Sequence, residues 1–482
     1  MTLSIKVWKT LSTCGMLSLA IALAAIAASS KAQTQAPAES AATVVEKQTV
    51  LTPKYLIGDA VSLSNQSYPE IEGAIKYFRN RDGKGALEYL QRAKTKYPKL
   101  PPANLMMAKM QILTRNNEAV RLLLDRTVID SPDDPEAFLI FADQAYRANR
   151  TVEAEALFLM AEPKIKSFSE NAKRKRSFEI RLLAGMAAVA ERRSQWDKSY
   201  QLLTKWVEAD PDNSLAHARL GLTLYRIEKP KEALAEFTKA RELNAELPHP
   251  YISLAQLFNQ EGEIEEARKS YLRAYNEEKG NEKTAQAYAE WLILQNELDQ
   301  AQAVAATLRE NSPGSIPALL LDGIVGHMQG DTDRSERALQ KVLSLEPRHA
   351  QATDLLALLL IQSDNVKSQE LALSYAELNA ERFPNNSQAN ITKAWVLYKL
   401  GRKAEAQKSL EQGARAGKLQ ADSMFLIAQI MVAEGNKEKA LLALKQGTAQ
   451  KSGLFVFRRE AEALLKKLEQ ELGSSVGEGI EF

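Results

Sequence analysis

Small and bulky apolar residues recur along this chain, between charged stretches, at a fixed spacing of 34 residues. Leu220 and Ala233, for example, are followed 34 positions later by Leu254 and Ala267. The pattern extends in both directions to eleven units, which together cover residues 67–454. The units start at Ser67, Pro101, Pro135, Ile180, Ser214, Pro248, Glu282, Ile316, Ala350, Ser387 and Ala421.

Two positions in each unit favour small residues, and a third favours a bulky one. Position 8 is alanine or glycine in all eleven units, and position 20 is alanine in eight of them. Position 24 often carries a large apolar residue such as Phe158, Phe237 or Tyr271. A small side chain lets two helix backbones approach closely, and a bulky neighbour fills the space beside the contact. The pattern therefore predicts a pair of packed helices in every unit and an all-α fold.

A 34-residue helix-turn-helix unit with small residues at positions 8 and 20 resembles the tetratricopeptide repeat. The resemblance implies a right-handed superhelical solenoid. In that family the first helix of each unit lines a concave groove, chiefly through positions 2, 5, 9, 12 and 13, and partners bind on this extended surface. Residues 455–472 are amphipathic and predict a capping helix, followed by a disordered tail over residues 473–482.

The spacing is broken in two places. Eleven extra residues precede the fourth unit, and three more lie inside the ninth. Eleven residues correspond to about three helical turns. The first break therefore predicts a lengthened helix that has Ser169 as its N-cap and ends near Arg193.

The N-terminus has the layout of a secretory signal peptide. Lys6 and Lys9 precede an uncharged apolar stretch over residues 11–28, and Ala32 ends a small-residue cleavage pattern. This layout predicts a signal peptide over residues 1–32 and a flexible lead-in over residues 33–66. The alternative is an uncleaved N-terminal anchor, because about 18 apolar residues approach the length that spans a bilayer. Both alternatives predict an exported protein, and the family resemblance favours the bacterial periplasm.

Charge and composition exclude several classes of function. The chain has 63 Lys and Arg against 61 Asp and Glu, so the basic footprint of a nucleic-acid-binding protein is missing. One cysteine and four histidines argue against thiolate metal sites and a disulfide scaffold. The sequence also contains none of the common nucleophile, zinc-binding or phosphate-binding motifs. We therefore expect a non-enzymatic protein that needs no cofactor.

Candidate binding residues lie at the groove positions. Positions 12 and 13 pair an aromatic residue with a cation in four units, and position 13 of the fourth unit adds Arg192. The pairs and the further polar or aromatic candidates are Phe78–Arg79, Tyr146–Arg147, Tyr225–Arg226, Tyr398–Lys399, Gln256, Asn259, Glu290, Trp395 and Phe425. One interpretation is a ligand surface of cations and aromatic faces. The other, which we favour, is that the cations complement helix dipoles and the aromatic rings pack on neighbouring units.

The densest run of charge is Lys173, Arg174, Lys175 and Arg176. Its simplest interpretation is a solvated helix face. The alternative is a docking patch for an acidic partner or for anionic lipid headgroups, which would bring the protein into peripheral contact with a membrane.

Together these patterns predict a protein–protein interaction scaffold or adaptor in the cell envelope, with a partner protein or peptide in the groove. The family resemblance suggests a secretion, polysaccharide-export or outer-membrane assembly system as its setting. The alternative function is direct binding of a carbohydrate polymer through the aromatic and arginine residues of the groove.

Overall fold

The computed structural model describes residues 51–58, 68–450 and 454–477 of the 482-residue chain. Within these ranges every regular element is an α-helix, and no strand occurs. Eleven helix pairs follow a short first helix and precede a closing helix. The predicted all-α repeat fold is therefore confirmed.

The helix pairs are numbered here as repeats 1 to 11. The short first helix, α1, spans Pro53–Ile57, and the closing helix, α24, spans Arg458–Gly477. The pairs between them are α2 Pro69–Arg79 and α3 Gly83–Lys96, α4 Ala103–Leu113 and α5 Asn117–Asp130, α6 Glu136–Arg147 and α7 Thr151–Ser167, α8 Ala172–Arg192 and α9 Trp196–Ala209, α10 Ser214–Arg226 and α11 Pro230–Leu243, α12 Pro250–Glu261 and α13 Ile264–Glu277, α14 Glu282–Leu294 and α15 Leu298–Asn311, α16 Ile316–Gln329 and α17 Thr332–Leu345, α18 Ala350–Leu360 and α19 Val366–Arg382, α20 Ser387–Lys399 and α21 Lys403–Ala416, and α22 Ala421–Ala433 and α23 Lys437–Thr448.

The turn inside a repeat places the residue at position 15 in the left-handed region. φ is positive there in ten of the eleven repeats, from 55° at Ser194 to 84° at Gly262. Repeat 9, whose turn carries the three-residue insertion, is the exception among the described residues. A left-handed residue just past a helix end lets its N–H and the next one bond back to the last helical carbonyls. The first helix therefore ends at position 13 or 14 in each of these ten repeats, and the second helix turns back onto it.

Positions 8, 20 and 24 meet in repeat 5. A Cβ atom built on Gly221 would lie 2.8 Å from the Phe237 ring and 3.1 Å from the backbone O of Ala233. The two helix backbones therefore touch at position 8, and the ring fills the space beside the contact. Repeat 8 shows the same arrangement, with Gly323 against Leu339.

The described chain divides into two compact parts, one ending at Pro250 and the other beginning at Tyr251. In each part the second helix of most repeats packs on the first helix of the next, and several neighbouring first helices also touch. The N-terminal part holds two apolar clusters, which include Leu105 and Phe158 respectively. The C-terminal part holds one cluster, which includes Trp291.

The insertion before repeat 4 lengthens two helices instead of one. α7 continues to Ser167, and α8 begins at Ala172 and ends at Arg192. The predicted N-cap, Ser169, is wrong. Asn171 is the N-cap, because its Oδ1 accepts the backbone N–H groups of the second and third residues of α8 at 3.0 Å each.

The predictions for the chain termini need correction in two places. The lead-in predicted as flexible over residues 33–66 contains α1, because the buried Leu56 and Ile57 offset the cost of ordering it. The tail predicted from residue 473 stays helical to Gly477, since one glycine does not stop a helix. The predicted signal peptide, residues 1–32, lies outside the described residues. Among the helices that are described, none combines the length and the apolar character that a bilayer span requires.

Candidate binding surface on the first helices

Four charged side chains form a buried cluster where the first helices of repeats 2, 3 and 4 come together. Lys109, Asp134, Glu136 and Arg174 are each at most 7% exposed. Arg174 Nη2 donates to Asp134 Oδ2 and to Glu136 Oε2 at 2.9 Å each, and Lys109 forms an ion pair with Glu136. We call these four residues the charge cluster.

Burial and ion pairing shift the pKa values of residues in the charge cluster in opposite directions. Burial alone would raise the pKa of Glu136, but the charges of Lys109 and Arg174 lower that pKa to about 2. Burial lowers the pKa of the Lys109 ammonium in spite of the neighbouring carboxylate. Glu136 is therefore a carboxylate at neutral pH, held between two cations.

Tyr146 pairs with a cation from the next repeat. The Arg192 guanidinium lies 3.6 Å from the centre of the Tyr146 ring, and Arg192 Nη1 donates to the backbone O of Tyr146 at 2.8 Å. The ring is 4% exposed, and its hydroxyl donates to the backbone O of Ala188 at 3.4 Å. Arg147, the neighbour in sequence, is exposed. The Tyr146 ring thus packs between repeats, and Arg147 is left on the surface.

Tyr225 and Arg226 lie beside an open surface depression of about 730 Å³. Tyr225 is 7% exposed, whereas Arg226 is half-buried and lines the depression together with Trp196. The Arg226 guanidinium lies 5.9 Å from the ring centres of both aromatic residues. At the first repeat, Phe78 is half-buried, and Arg79 Nη2 donates to the backbone O of the residue at position 51 at 3.3 Å.

Gln256, Asn259 and Glu290 lie on the first helices of repeats 6 and 7. Asn259 Oδ1 accepts a hydrogen bond from Trp291 Nε1 at 3.0 Å. Glu290 accepts one from Gln286 Nε2 at 2.7 Å, and burial raises the pKa of its carboxyl. Gln256 is exposed. Of the three candidates, Gln256 therefore presents its side chain to solvent, whereas the other two are held by neighbours within the fold.

Trp395, Tyr398, Lys399 and Lys403 form a partly exposed aromatic platform on repeat 10. The two rings are stacked, with centres 6.5 Å apart and planes inclined by 12°. Lys399 Nζ lies 5.8 Å from the Trp395 centre, and Lys403 Nζ lies 5.4 Å from the Tyr398 centre. Tyr398 Oη donates to Glu434 at 2.7 Å, and Lys403 pairs with the same carboxylate at 2.9 Å. These contacts fix the orientation of the Tyr398 ring.

Phe425 is not an exposed groove residue, and this part of the prediction is wrong. It is 2% exposed, because Phe457 stacks on it with ring centres 5.6 Å apart. The Phe457 ring also meets His327 edge-on at 5.0 Å. Asp422 accepts the backbone N–H groups of Val456 and Phe457 at 3.3 and 3.0 Å. The segment that leads into α24 therefore covers the first helices of repeats 8 and 11 at this point.

The basic run of α8 is not a continuous surface patch. Arg174 is 1% exposed, because it reaches into the charge cluster between the rings of Phe168 and Phe178, whose centres lie 5.1 and 5.0 Å from its guanidinium. Lys173 and Arg176 are exposed. Docking of an acidic partner or a lipid surface on the remaining cations stays a prediction.

The predicted candidates did not include Lys109, Glu136 or the ion pair in which Arg181 Nε donates to Asp143 Oδ2 at 2.8 Å. All four lie at groove positions 2 or 9 of repeats 2 to 4. Lys109 is the one charged residue of α4, between Ala108 and Met110. A single lysine at a groove position of an otherwise apolar helix is a signal that could have identified Lys109 as a candidate, because a buried cation requires a partner.

Among the described residues, this surface carries side chains suited to recognising a partner and no set of side chains that would hold a metal ion. In residues 51–58, 68–450 and 454–477, no three His, Cys, Asp or Glu side chains are gathered as a metal ion requires. Ion pairs, aromatic faces and hydrogen-bonding amides suit non-covalent binding of a chain or a polymer.

Stacked helix pairs with polar and aromatic side chains on their first helices define a helical repeat protein. Two segments of the chain, residues 219–283 and 391–453, match the family model described as "Tetratricopeptide repeat". The chain is 27% identical over 176 residues to the DnaJ homolog subfamily C member 3 of Bos taurus, a match that covers 36% of this chain and 34% of that protein.

Two further proteins are similar to this chain, one over a shorter segment and one with a low TM-score. Tetratricopeptide repeat protein 21B of Mus musculus is 33% identical over 117 residues, which is 23% of this chain and 9% of that protein. The matches thus span about a third or less of the length of both relatives. Among solved structures, yeast Tom70 has a TM-score of 0.35 at 13% identity, covering 84% of this chain and 96% of that one.

Proposed function

We propose that this protein is a non-enzymatic scaffold of the cell envelope, which binds a partner protein through the first helices of its repeats. Tetratricopeptide repeat proteins generally mediate protein–protein interactions. The observation that carries the proposal is the aromatic platform of repeat 10. It presents two stacked aromatic rings, of which Tyr398 is held by a hydrogen bond to Glu434, and two ammonium groups flank them.

The platform suits a segment of a partner protein that combines apolar and acidic side chains. Aromatic faces supply a large contact area at a low cost in conformational entropy, because each ring has few rotatable bonds. The exposed ammonium group of Lys399 attracts carboxylates and steers them to the surface, whereas that of Lys403 is already paired with Glu434. Gln256 and the depression beside Arg226 offer further polar contacts within their own parts of the chain.

The cell-envelope setting is supported by the N-terminal sequence pattern. A charged start, an apolar stretch and a small-residue end within residues 1–32 are typical of exported proteins. Within the envelope, an adaptor without enzymatic activity would fit a secretion, polysaccharide-export or outer-membrane assembly system.

The test is affinity capture of the tagged chain from its own cells after mild crosslinking, with identification of the recovered proteins and of the mature N-terminus by mass spectrometry. A defined envelope protein should be recovered with the wild-type chain and lost with the double variant Trp395→Ala/Tyr398→Ala. The matched control is Tyr77→Ala, which removes another exposed aromatic residue in the N-terminal part, one whose ring is tilted by 30° against that of Tyr89.

Binding should then be measured with the purified partner. We expect the platform variant to bind at least about tenfold more weakly, since aromatic residues are frequent hot spots of interfaces. Equal affinity of the wild-type and platform-variant chains would show that repeat 10 does not carry the interaction.

A second candidate function is direct binding of a carbohydrate polymer, which the stacked rings of the platform favour because sugar rings pack on aromatic faces. Tyr146 and Tyr225 are buried, so Tyr398 is the tyrosine of the three candidates that remains available. Co-purification of a polysaccharide that is lost with Tyr398→Ala, without a protein partner, would establish this alternative in place of the scaffold.

A further inference from the structure

The short helix α1 lies across the first helices of the N-terminal part. It contacts α2 and α4, the first helices of repeats 1 and 2. Gly58, which ends α1, lies against the aliphatic stem of Arg174 at the start of repeat 4. Glu136 of repeat 3 joins these contacts indirectly, because it pairs with Arg174 and with Lys109, whose Nζ donates to the backbone O of Leu56. α1 therefore contacts repeats 1, 2 and 4 directly and repeat 3 through Lys109 and Arg174.

Three residues anchor α1 to this surface. Leu56 and Ile57 are both 0% exposed. Tyr55 Oη donates to the backbone O of Lys109 at 3.3 Å, and Lys109 Nζ donates to the backbone O of Leu56 at 3.3 Å. The apolar side chains thus supply contact area, and the two hydrogen bonds with Lys109 set the direction of the segment.

The position of α1 differs from that of a terminal cap. A cap covers the open end of the first repeat, as α24 covers the last repeat by packing on α23. The hydrogen bonds of α1, in contrast, are made with Lys109 in repeat 2, at a groove position. α1 therefore occupies the surface on which a repeat array of this type binds its ligands.

The surface under α1 retains unused hydrogen-bonding capacity. Arg174 is 1% exposed, and its Nε and Nη1 atoms have no hydrogen-bond partner among the described residues. Buried guanidinium donors usually find acceptors, because an unpaired buried donor costs free energy. α1 therefore occupies the site but leaves these two Arg174 donors without acceptors among the described residues.

A five-residue helix is not stable on its own. α1 exists because the surface holds it, and the surface therefore selects this conformation and these side chains. α1 is joined covalently to repeat 1 through nine residues, 59–67, so it competes for its site intramolecularly, at an effective concentration of about the millimolar range. A partner segment must therefore bind tightly enough, or be concentrated enough, to displace α1 from the site.

We infer that the first helices of repeats 1 to 4 form a second peptide-binding site, which α1 fills within the chain and which accepts a partner segment of the same chemistry. That segment is a single helical turn with an aromatic hydroxyl residue followed by two aliphatic residues. The backbone O of the first aliphatic residue accepts from Lys109, and an acidic side chain or terminal carboxylate next to the turn pairs with the free donors of Arg174. This site is separate from the aromatic platform.

The experiment measures binding of a fluorescein-labelled peptide with the sequence of residues 51–58 to the full-length chain by fluorescence polarisation. The variant Leu56→Ser/Ile57→Ser should release its own α1 and bind the peptide saturably, at least about tenfold more tightly than the wild-type chain. A peptide with serine at both aliphatic positions should not bind. Extending the wild-type peptide by one aspartate after its last residue should strengthen binding.

The matched control is Leu122→Ser/Ile129→Ser, which makes the same type of change at two exposed residues of α5. It should bind the peptide no better than the wild-type chain. Hydrogen exchange of α4 and α6 shows whether the α1 variant keeps its fold, and Leu56→Ala replaces the double variant if it does not.

A folded α1 variant that binds the peptide no better than the wild-type chain would overturn the inference. A wild-type chain that is dimeric, and that becomes monomeric in the α1 variant, would assign the site to α1 of a second copy and would overturn the assignment to a foreign partner. Neither result depends on the aromatic platform, so the scaffold proposal can stand or fall independently.

Discussion

The substitution Gly185→Ala, on α8, has two opposing effects on stability, and the larger one decides whether it stabilises or destabilises the fold. Glycine to alanine inside a helix ordinarily stabilises by about 0.8–1 kcal/mol, because alanine has the higher helix propensity. A Cβ atom at Gly185, however, would lie 2.5 Å from Cε1 of Phe158 and closer still to Cζ. The Phe158 ring is 1% exposed and rigid, so it cannot rotate away as a flexible side chain could.

The overpacking therefore outweighs the gain in helix propensity. Overpacking a close-packed core typically costs about 1–3 kcal/mol, and a contact this short belongs at the upper end of that range. We expect Gly185→Ala to destabilise the contact between α7 and α8 by about 1–2 kcal/mol net. Gly280→Ala is the matched control, since a Cβ atom at that exposed turn position would meet nothing within 4 Å.

The assay is native-state hydrogen exchange, because a repeat array can unfold locally and exchange reports the stability of α7 and α8 separately from that of the other repeats. A loss of 1–2 kcal/mol raises the open population, and with it the exchange rate, by a factor of about 5–30. This increase should be confined to α7, α8 and their neighbours and should be absent in Gly280→Ala. If Gly185→Ala exchanges as slowly as the wild-type chain or more slowly, the packing argument for α8 is refuted.

Burial raises the pKa of Asp354 from 3.8 to about 7, so the folded chain binds more protons than the unfolded chain between these values, and stability falls as pH rises. Asp354→Asn should remove at most about 4 kcal/mol of this pH dependence, as urea unfolding at pH 4 and pH 8 would show. Arg219→Met leaves the buried Glu191 carboxylate without its cation and should cost about 3–5 kcal/mol, whereas adding Glu191→Gln should recover part of the loss in a thermal melt. Phe457→Ala should cost about 3–5 kcal/mol and speed exchange in α22, and unchanged exchange there would contradict the stacking on Phe425.

The helix pairs could be predicted because the information that specifies them is local and repeated. Gly221 and Phe237 lie 16 residues apart, and the same combination of small and bulky residues returns in nearly every unit. Each occurrence predicts the same contact between the two helices of a unit. An unusual residue in one unit therefore does not hide the 34-residue period.

The candidate site was predicted less well because its contacts join distant residues. Tyr146 was paired with Arg147, its neighbour in sequence, but adjacent residues on a helix point in different directions. The actual partner, Arg192, comes from the next repeat, 46 residues later. Arg174 was counted as part of a surface run, because the sequence does not show that Asp134 lies within hydrogen-bonding distance of it.

The neighbour-to-neighbour packing of the repeats also determines how the chain would respond to tension. Since a repeat packs mainly on the next one along the chain, a force applied to the ends of either part should detach one helix pair at a time. Each released 34-residue unit would extend to at most about 110–120 Å. Under load the protein would act as a series of extensible links, lengthening in steps while the repeats that remain folded keep their surfaces.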